Sequence, residues 1–398
     1  QSLHTTAGFF AFLSSWLALD LYQVFTGKRI LLSDFVRIGL VFYLGIIFSQ
    51  MVSPASDYYA QLLIFDILIL WLSQDERRKE EDQAAASYAP YALLCILLVY
   101  AATIKFSIAP LLLLVLKPAV MMIQKKDVKN IVICILTGCL ILLPFFIRNV
   151  IISGWLVYPS AAIDLFNVDW KIPKGQVQYD AMEIGVYGKG INDVTKKDMP
   201  ITDWLPNWFD GLKSLEKVWV LLTVAALITG MIYLMSMWLK KSGKTREVTD
   251  FALVFGVLSV SSFFWFFSAP LIRYGYVYVT AIPLVTFGYF YGVLLKRVKR
   301  EQYKKILHRC ILAALTLFLL VRCKGLAADI KNTWQQDYYV RQEDYYTGET
   351  DSYTIDGITI YIPLENGQIG YDKFPSSPTV LDIELRGNSI EDGFRQNT

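Results

Sequence analysis

The chain has 398 residues, 55% of them hydrophobic and 15% aromatic against 18% charged, with a formal net charge of +3 and a mean hydropathy of +0.40. This composition excludes an ordinary soluble domain and describes a polytopic membrane protein. The basic residues are spread over short loops, which argues against nucleic acid as a partner. Two histidines, and five cysteines without metal-ligand spacing, argue against a histidine-built zinc site or a Ser/His/Asp triad.

Apolar runs long enough to span a bilayer, at about 20 residues per helix, occur at 4–26, 33–52, 58–73, 88–104, 107–123, 129–147, 216–239, 248–268, 271–295 and 306–323. They predict an all-α polytopic bundle of about ten spans. The chain opens at Gln1 without a methionine and reads as one whose N-terminal part is missing. Between the fourth and fifth runs, TIKFSIAP predicts a broken or re-entrant element. Basic residues follow every second run: Lys28, Arg29 and Arg37; Arg77, Arg78 and Lys79; Lys125, Lys126 and Lys129; Lys240, Lys241, Lys244 and Arg246; then Lys296 to Lys305. The positive-inside rule places these loops in the cytoplasm. Asp57, Lys105, Arg273, the long loop 148–215 and the tail then fall outside.

The predicted division is a first half of the membrane bundle at 1–147, an extracytoplasmic loop at 148–215, a second half at 216–323 and an extracytoplasmic α+β tail at 324–398. In PFFIRNVIISGWLVYPSAAIDLFNVDWKIP the apolar run is expected to stop at Arg148. Arg148, Asn149, Tyr158, Asp164, Asp169 and Lys171, set around Trp155 and Trp170, suit a headgroup-sized substrate whose tail stays in lipid. An interfacial loop with an aromatic belt is the alternative. DAMEIGVYGKGINDVTKKDMP reads as irregular, with a short helix at its start. In TDWLPNWFDGLK, Thr202 or Asp203 would cap an amphipathic helix whose Trp204, Trp208 and Phe209 rest in the headgroup region, as a lid or as an anchor. After Cys323 the polar LAADIKNTWQQDYYVRQEDYY is expected to continue as helix, YTIDGITIYIP reads as a strand, ENGQIG as a turn and TVLDIELRG as a second strand.

An ionisable side chain within a span costs roughly 2.5 to 3.5 kcal/mol at the bilayer centre unless it is paired or wet, so Lys105 and Arg273 carry information. Lys105 either snorkels to the interface or serves a site. Arg273 follows Pro270 and precedes Tyr274 with apolar sequence on both flanks, and an arginine on a wet wall suits bidentate binding of phosphate. Asp57 either caps the helix that begins at Tyr58 or acts as a general base or metal ligand. Asp164 and Asp169 are the alternatives for that role.

These residues carry a resemblance. Pro144, Arg148, Asn149, Gly154, Tyr158 and Pro159 resemble the P-x-x-x-R-N-x(4)-G-x(3)-Y-P segment of bacterial GT-C type membrane glycosyltransferases, including members linked to cell-envelope polysaccharides. Thr103 and Lys105 are similar to a T-K segment of those enzymes, and Arg273 and Tyr274 with Pro283 to their R-Y...P segment. The weak similarity runs from about Ser53 to Arg395. It implies a GT-C-like helix bundle in a bacterial inner or plasma membrane that moves a sugar from a polyprenyl-phosphate-linked donor to an extracytoplasmic glycan or lipid. It further implies that Lys105, Arg148, Arg273 and Tyr274 hold the donor phosphate, that Asp57 is the catalytic carboxylate, and that a divalent ion (Mg or Mn) would assist without being required. GT-C enzymes carry acidic residues in the first outward loop, whereas Asp57 lies in a later one, and Pro283 is nine residues past Tyr274. A polymerase or ligase of lipid-linked oligosaccharide and a lipid-linked sugar transporter or flippase are the competing expectations.

Overall fold

The computed structural model describes residues 2–27, 30–48, 50–51, 55–80, 87–240, 245–335, 348–364 and 373–397. Two compact units divide the chain: residues 1–143 with 182–329, and residues 144–181 with 330–398. The helices are α1 (Ser2–Ala18), α2 (Tyr22–Phe25), α3 (Leu32–Ile47), α4 (Ser56–Glu80), α5 (Ala89–Ile104), a 3-10 stretch (Phe106–Val115), α6 (Leu116–Gln124), α7 (Val128–Ser153), α8 (Lys174–Gly188), α9 (Ile201–Gly211), α10 (Ser214–Leu239), α11 (Arg246–Ser268), α12 (Ile272–Arg297) and α13 (Glu301–Trp334).

Seven helical segments among the described residues are long and apolar enough to cross a membrane: 5–25, 106–124, 128–153, 214–239, 246–268, 272–297 and 301–332. The protein is therefore mostly helical and multi-pass in character. Three expected spans, 33–52, 58–73 and 88–104, fall short for physical reasons. The helices α3 and α5 have 16 residues each, roughly 24 Å at 1.5 Å per residue, and α4 carries Asp57, Asp66 and Asp75.

Inside the first unit α4 is a central helix, packed against α1, α3, α5 and α12, and its carboxylates are met by partners. Asp66 accepts from the Ser14 hydroxyl at 2.9 Å. Asp75 accepts from the Tyr91 hydroxyl at 2.5 Å and pairs with Lys117, which also reaches Asp250 at 2.6 Å. A polar helix surrounded by other helices avoids the cost of exposing carboxylates to hydrocarbon. Hydropathy alone misjudges such a helix, because it scores each charge without its partner.

Several boundaries differ from expectation. The helix α7 runs through Pro144 and Arg148 to Ser153. Arg148 does not end it, because the NVIIS that follows is apolar and helix-compatible. Gly154 ends it instead, at φ +74°, with its N–H on the Val150 carbonyl at 2.8 Å, a left-handed stop that glycine adopts without strain. The continuation of helix past Cys323 is as expected, α13 running on to Trp334. The start of α8 at Lys174, directly after Pro173, makes it longer than the short helix expected from DAMEIG. Pro200, rather than Thr202 or Asp203, precedes α9 as its N-cap.

In the second unit β1 (Thr350–Ile355) and β2 (Ile358–Pro363) form an antiparallel hairpin. Asp356 and Gly357 at its tip both have positive φ, 47° and 83°, the geometry that an Asp-Gly pair favours in a tight hairpin. YTIDGITIYIP is thus two strands where one was expected. From TVLDIELRG only β3 (Ile383–Leu385) is a strand, paired with β4 (Phe394–Gln396). ENGQIG lies outside the described residues.

Candidate functional site

Three chain segments of the first unit meet at one end of α4. Asp57 sits in the first turn of that helix and is buried. Lys105 occupies the join between α5 and the 3-10 stretch, in extended backbone at φ −145°, ψ 110°. Its N–H closes α5 on the Ala101 carbonyl at 3.0 Å, and its carbonyl accepts from Ile108 at 3.0 Å. Pro110, five residues on, lacks the N–H that a continuous α-helix would use, which favours breaking and restarting the helix here. Arg273 is the second residue of α12.

The Lys105 ammonium donates to Asp57 Oδ1, and Arg273 Nε lies 3.2 Å from Asp57 Oδ2. Lys105 Nζ also stands 3.2 Å from the centre of the Tyr274 ring, and the Arg273 guanidinium carbon 5.4 Å from it, so the ring faces both cations. One carboxylate against an ammonium and a guanidinium leaves a surplus positive charge. That surplus is accessible, because the Arg273 side chain is 39% exposed while Asp57 is 7% exposed. Burial draws the Lys105 ammonium down to about 8, against the opposing pull of Asp57.

The scaffold under these groups was not expected from sequence. Gln61, one turn beyond Asp57, donates its amide N–H to the Arg273 carbonyl and accepts from the Val277 N–H at 3.0 Å, bolting α4 to the start of α12. Trp208 Nε1 donates to the Pro270 carbonyl at 2.7 Å and Trp265 Nε1 to the Leu271 carbonyl at 3.1 Å. The Tyr276 hydroxyl donates to Glu216. The available signals were a glutamine four residues after Asp57 in an apolar helix, and Trp265 three residues before SAPLIRYG.

Trp204 and Trp208 do share one face of α9, but that face is buried against protein: both rings pack on Phe266, with centroids 5.5 and 6.0 Å away. The expected headgroup placement of this face is therefore corrected. An indole N–H in contact with a carbonyl is better satisfied there than against lipid.

The remaining candidates lie in the second unit, where the loop residues hold one another and the tail. Lys171 pairs with Asp164, donates to the Phe166 carbonyl at 2.6 Å and stands 4.3 Å from the Trp155 ring centre. Asp169 pairs with Arg386, while Gln396 donates to the Asp169 and Lys171 carbonyls at 3.2 and 2.6 Å. Asn149 donates to the Leu156 carbonyl at 3.2 Å, and the Tyr158 hydroxyl to Asp180. Burial, then the neighbouring Asp180, raises the Tyr158 hydroxyl above its ordinary range. These contacts give Asn149, Tyr158, Asp164, Asp169 and Lys171 structural work. Arg148 is exposed and has no ion-pair partner among the described residues.

No group of three or more His, Cys, Asp or Glu side chains among the described residues is placed to hold a metal ion. Asp57, with both oxygens facing cations, does not fit the metal-ligand role.

Fold and site together define a multi-pass helical membrane protein with a polar, cation-rich cluster at one end of a buried helix. The chain belongs to the family described as Domain of unknown function (DUF8201), whose model matches residues 1–280, a region that contains Asp57, Lys105, Arg148, Arg273 and Tyr274. No curated protein and no solved structure matches it.

Proposed function

We propose that the protein is a membrane glycosyltransferase of GT-C type, which moves a sugar from a polyprenyl-phosphate-linked donor to an extracytoplasmic glycan or lipid acceptor in the bacterial cell envelope. The observation that carries this reading is the meeting of Asp57, Lys105, Arg273 and Tyr274, each singled out by sequence and contributed by three separate segments. The surplus positive charge suits a phosphate that must leave as an anion, and fixed cations at the leaving oxygen are the electrostatic stabilisation such a step needs. In this reading the donor phosphate takes over Lys105 and Arg273. Asp57, freed of its two cations, then accepts the proton of the acceptor hydroxyl as the sugar transfers. In this reading no metal ion is required.

The test is release of polyprenyl phosphate from a synthetic polyprenyl-phosphate sugar by the protein in proteoliposomes. Turnover that disappears in Asp57→Asn supports the reading. Movement of the intact donor across the bilayer without cleavage would replace it with transport.

A further inference from the structure

The guanidinium of Arg322 in α13 has no acceptor among the described residues, and its Nε is fully buried. It lies 21 residues after Glu301, roughly 32 Å along the helix. It rests against α3 at Gly45: a Cβ there would fall 2.4 Å from Arg322 Nη2, 2.7 Å from Nε and 2.9 Å from Cζ. Only a glycine leaves room for this seat. One turn earlier on α3, Phe42 packs between Trp219 of α10 and Phe318 of α13, with ring centroids 5.2 and 6.3 Å away. Trp219 Nε1 is likewise buried without an acceptor. The same face of α3 is thus flanked by a guanidinium and an indole N–H, neither of them satisfied. Unmet donors in apolar surroundings are costly.

We propose that this seat between α3, α10 and α13 binds the phosphate of an anionic phospholipid. A phosphate supplies the missing acceptors and suits the planar fork of an arginine. The surroundings select a lipid over a free anion: α13 and α10 carry exposed apolar side chains, among them Leu317, Leu320, Val218 and Leu222, along which acyl chains can pack. The seat is at the end of the bundle that carries Asp57, since the Tyr43 hydroxyl of the same α3 donates to the Tyr58 carbonyl at 3.4 Å. Arg322 lies beyond the family match, and the seat is independent of the proposed transfer reaction.

The experiment titrates phosphatidylglycerol into nanodiscs of phosphatidylcholine that hold the protein, and counts retained lipid by native mass spectrometry. Saturable retention is expected in the wild type. Arg322→Gln should weaken it about tenfold or more, as loss of a charge-assisted hydrogen bond would. Gly45→Leu, which evicts the guanidinium from its seat, should do the same, and Trp219→Phe should weaken it less. If Arg322→Gln does not fold, Arg322→Lys keeps the charge and loses the fork, and weaker saturable binding is again the supporting result. Unchanged affinity in the Arg322 variant, retention that merely follows bulk lipid composition, or full displacement by inorganic phosphate would each overturn the proposal.

Discussion

Arg273→Lys separates a phosphate-binding arginine from a merely interfacial one. At 3.2 Å from Asp57, the ion pair has a gross attraction of about 5 kcal/mol at an effective dielectric constant of 20. The guanidinium is 39% exposed, however, and screened pairs of this kind contribute about 1 kcal/mol or less. Lysine keeps the charge, so the stability loss should not exceed that. The local backbone does not depend on the side chain, because Gln61 holds the Arg273 carbonyl and Trp265 the Leu271 carbonyl. What lysine loses is the fork, hence one charge-assisted hydrogen bond to phosphate, worth about 1.5 to 3 kcal/mol. That corresponds to about 10- to 150-fold in rate, and Arg273→Ala should lose more, about 2 to 5 kcal/mol. The assay is turnover of a polyprenyl-phosphate sugar in proteoliposomes, with the melting temperature measured in parallel. Wild-type turnover by Arg273→Lys would remove this residue from the site, since a snorkelling arginine tolerates lysine.

With the Lys105 ammonium titrating at about 8, activity should fall as pH rises through that value and the surplus cation is lost. Because the unfolded chain holds that proton up to its ordinary 10.5, Lys105 makes stability rise with pH between the two values, so activity lost together with folding in this window would contradict the assignment. Gly275→Ala should destabilise by about 1 to 3 kcal/mol, since the new methyl would lie 2.3 Å from the Trp265 ring; an unchanged melting temperature would show that the indole has room to move. For topology, single cysteines replacing Lys197 and Asn388, in a background without the five native cysteines, should both react with an impermeant maleimide added outside. Labelling of either one only from the cytoplasmic side would reverse the orientation.

The helical character, the break at TIKFSIAP and the candidacy of Lys105 and Arg273 were legible because a charge in an apolar run is conspicuous one residue at a time. Asp57 was legible as a candidate, but its partners were not. They lie 48 and 216 residues away, and no local pattern links them. Gln61 was passed over for the same reason: its two bonds run to the backbone of α12, which no side-chain motif records. The loop residues misled in the opposite direction. Asp164, Asp169 and Lys171 looked available because their partners, one another and the strands of the tail, are set by tertiary folding. The Asp-Gly turn at 356–357 was local and readable, and taking its flanks as one strand overlooked a known signal.

A single helix carries two ion clusters, and the contrast between them says which one a ligand can use. Asp57 and Asp75 are 18 residues apart on α4, five full turns and roughly 27 Å, so both carboxylates project from the same side of the helix. At Asp75 the cation is enclosed: the Lys117 side chain is 9% exposed and lies between Asp75 and Asp250, with Arg246 Nε 3.9 Å from Asp250. Its charges balance, and an entering anion would meet two carboxylates. At Asp57 one carboxylate faces two cations, and the outer cation is the exposed one. In the first cluster each carboxylate is paired with a cation inside the protein, the arrangement a buried charge requires. In the second a positive charge is left over until an anion arrives, which is the condition for binding one, and this asymmetry favours the end of α4 that begins at Asp57 as the place where an anion would bind.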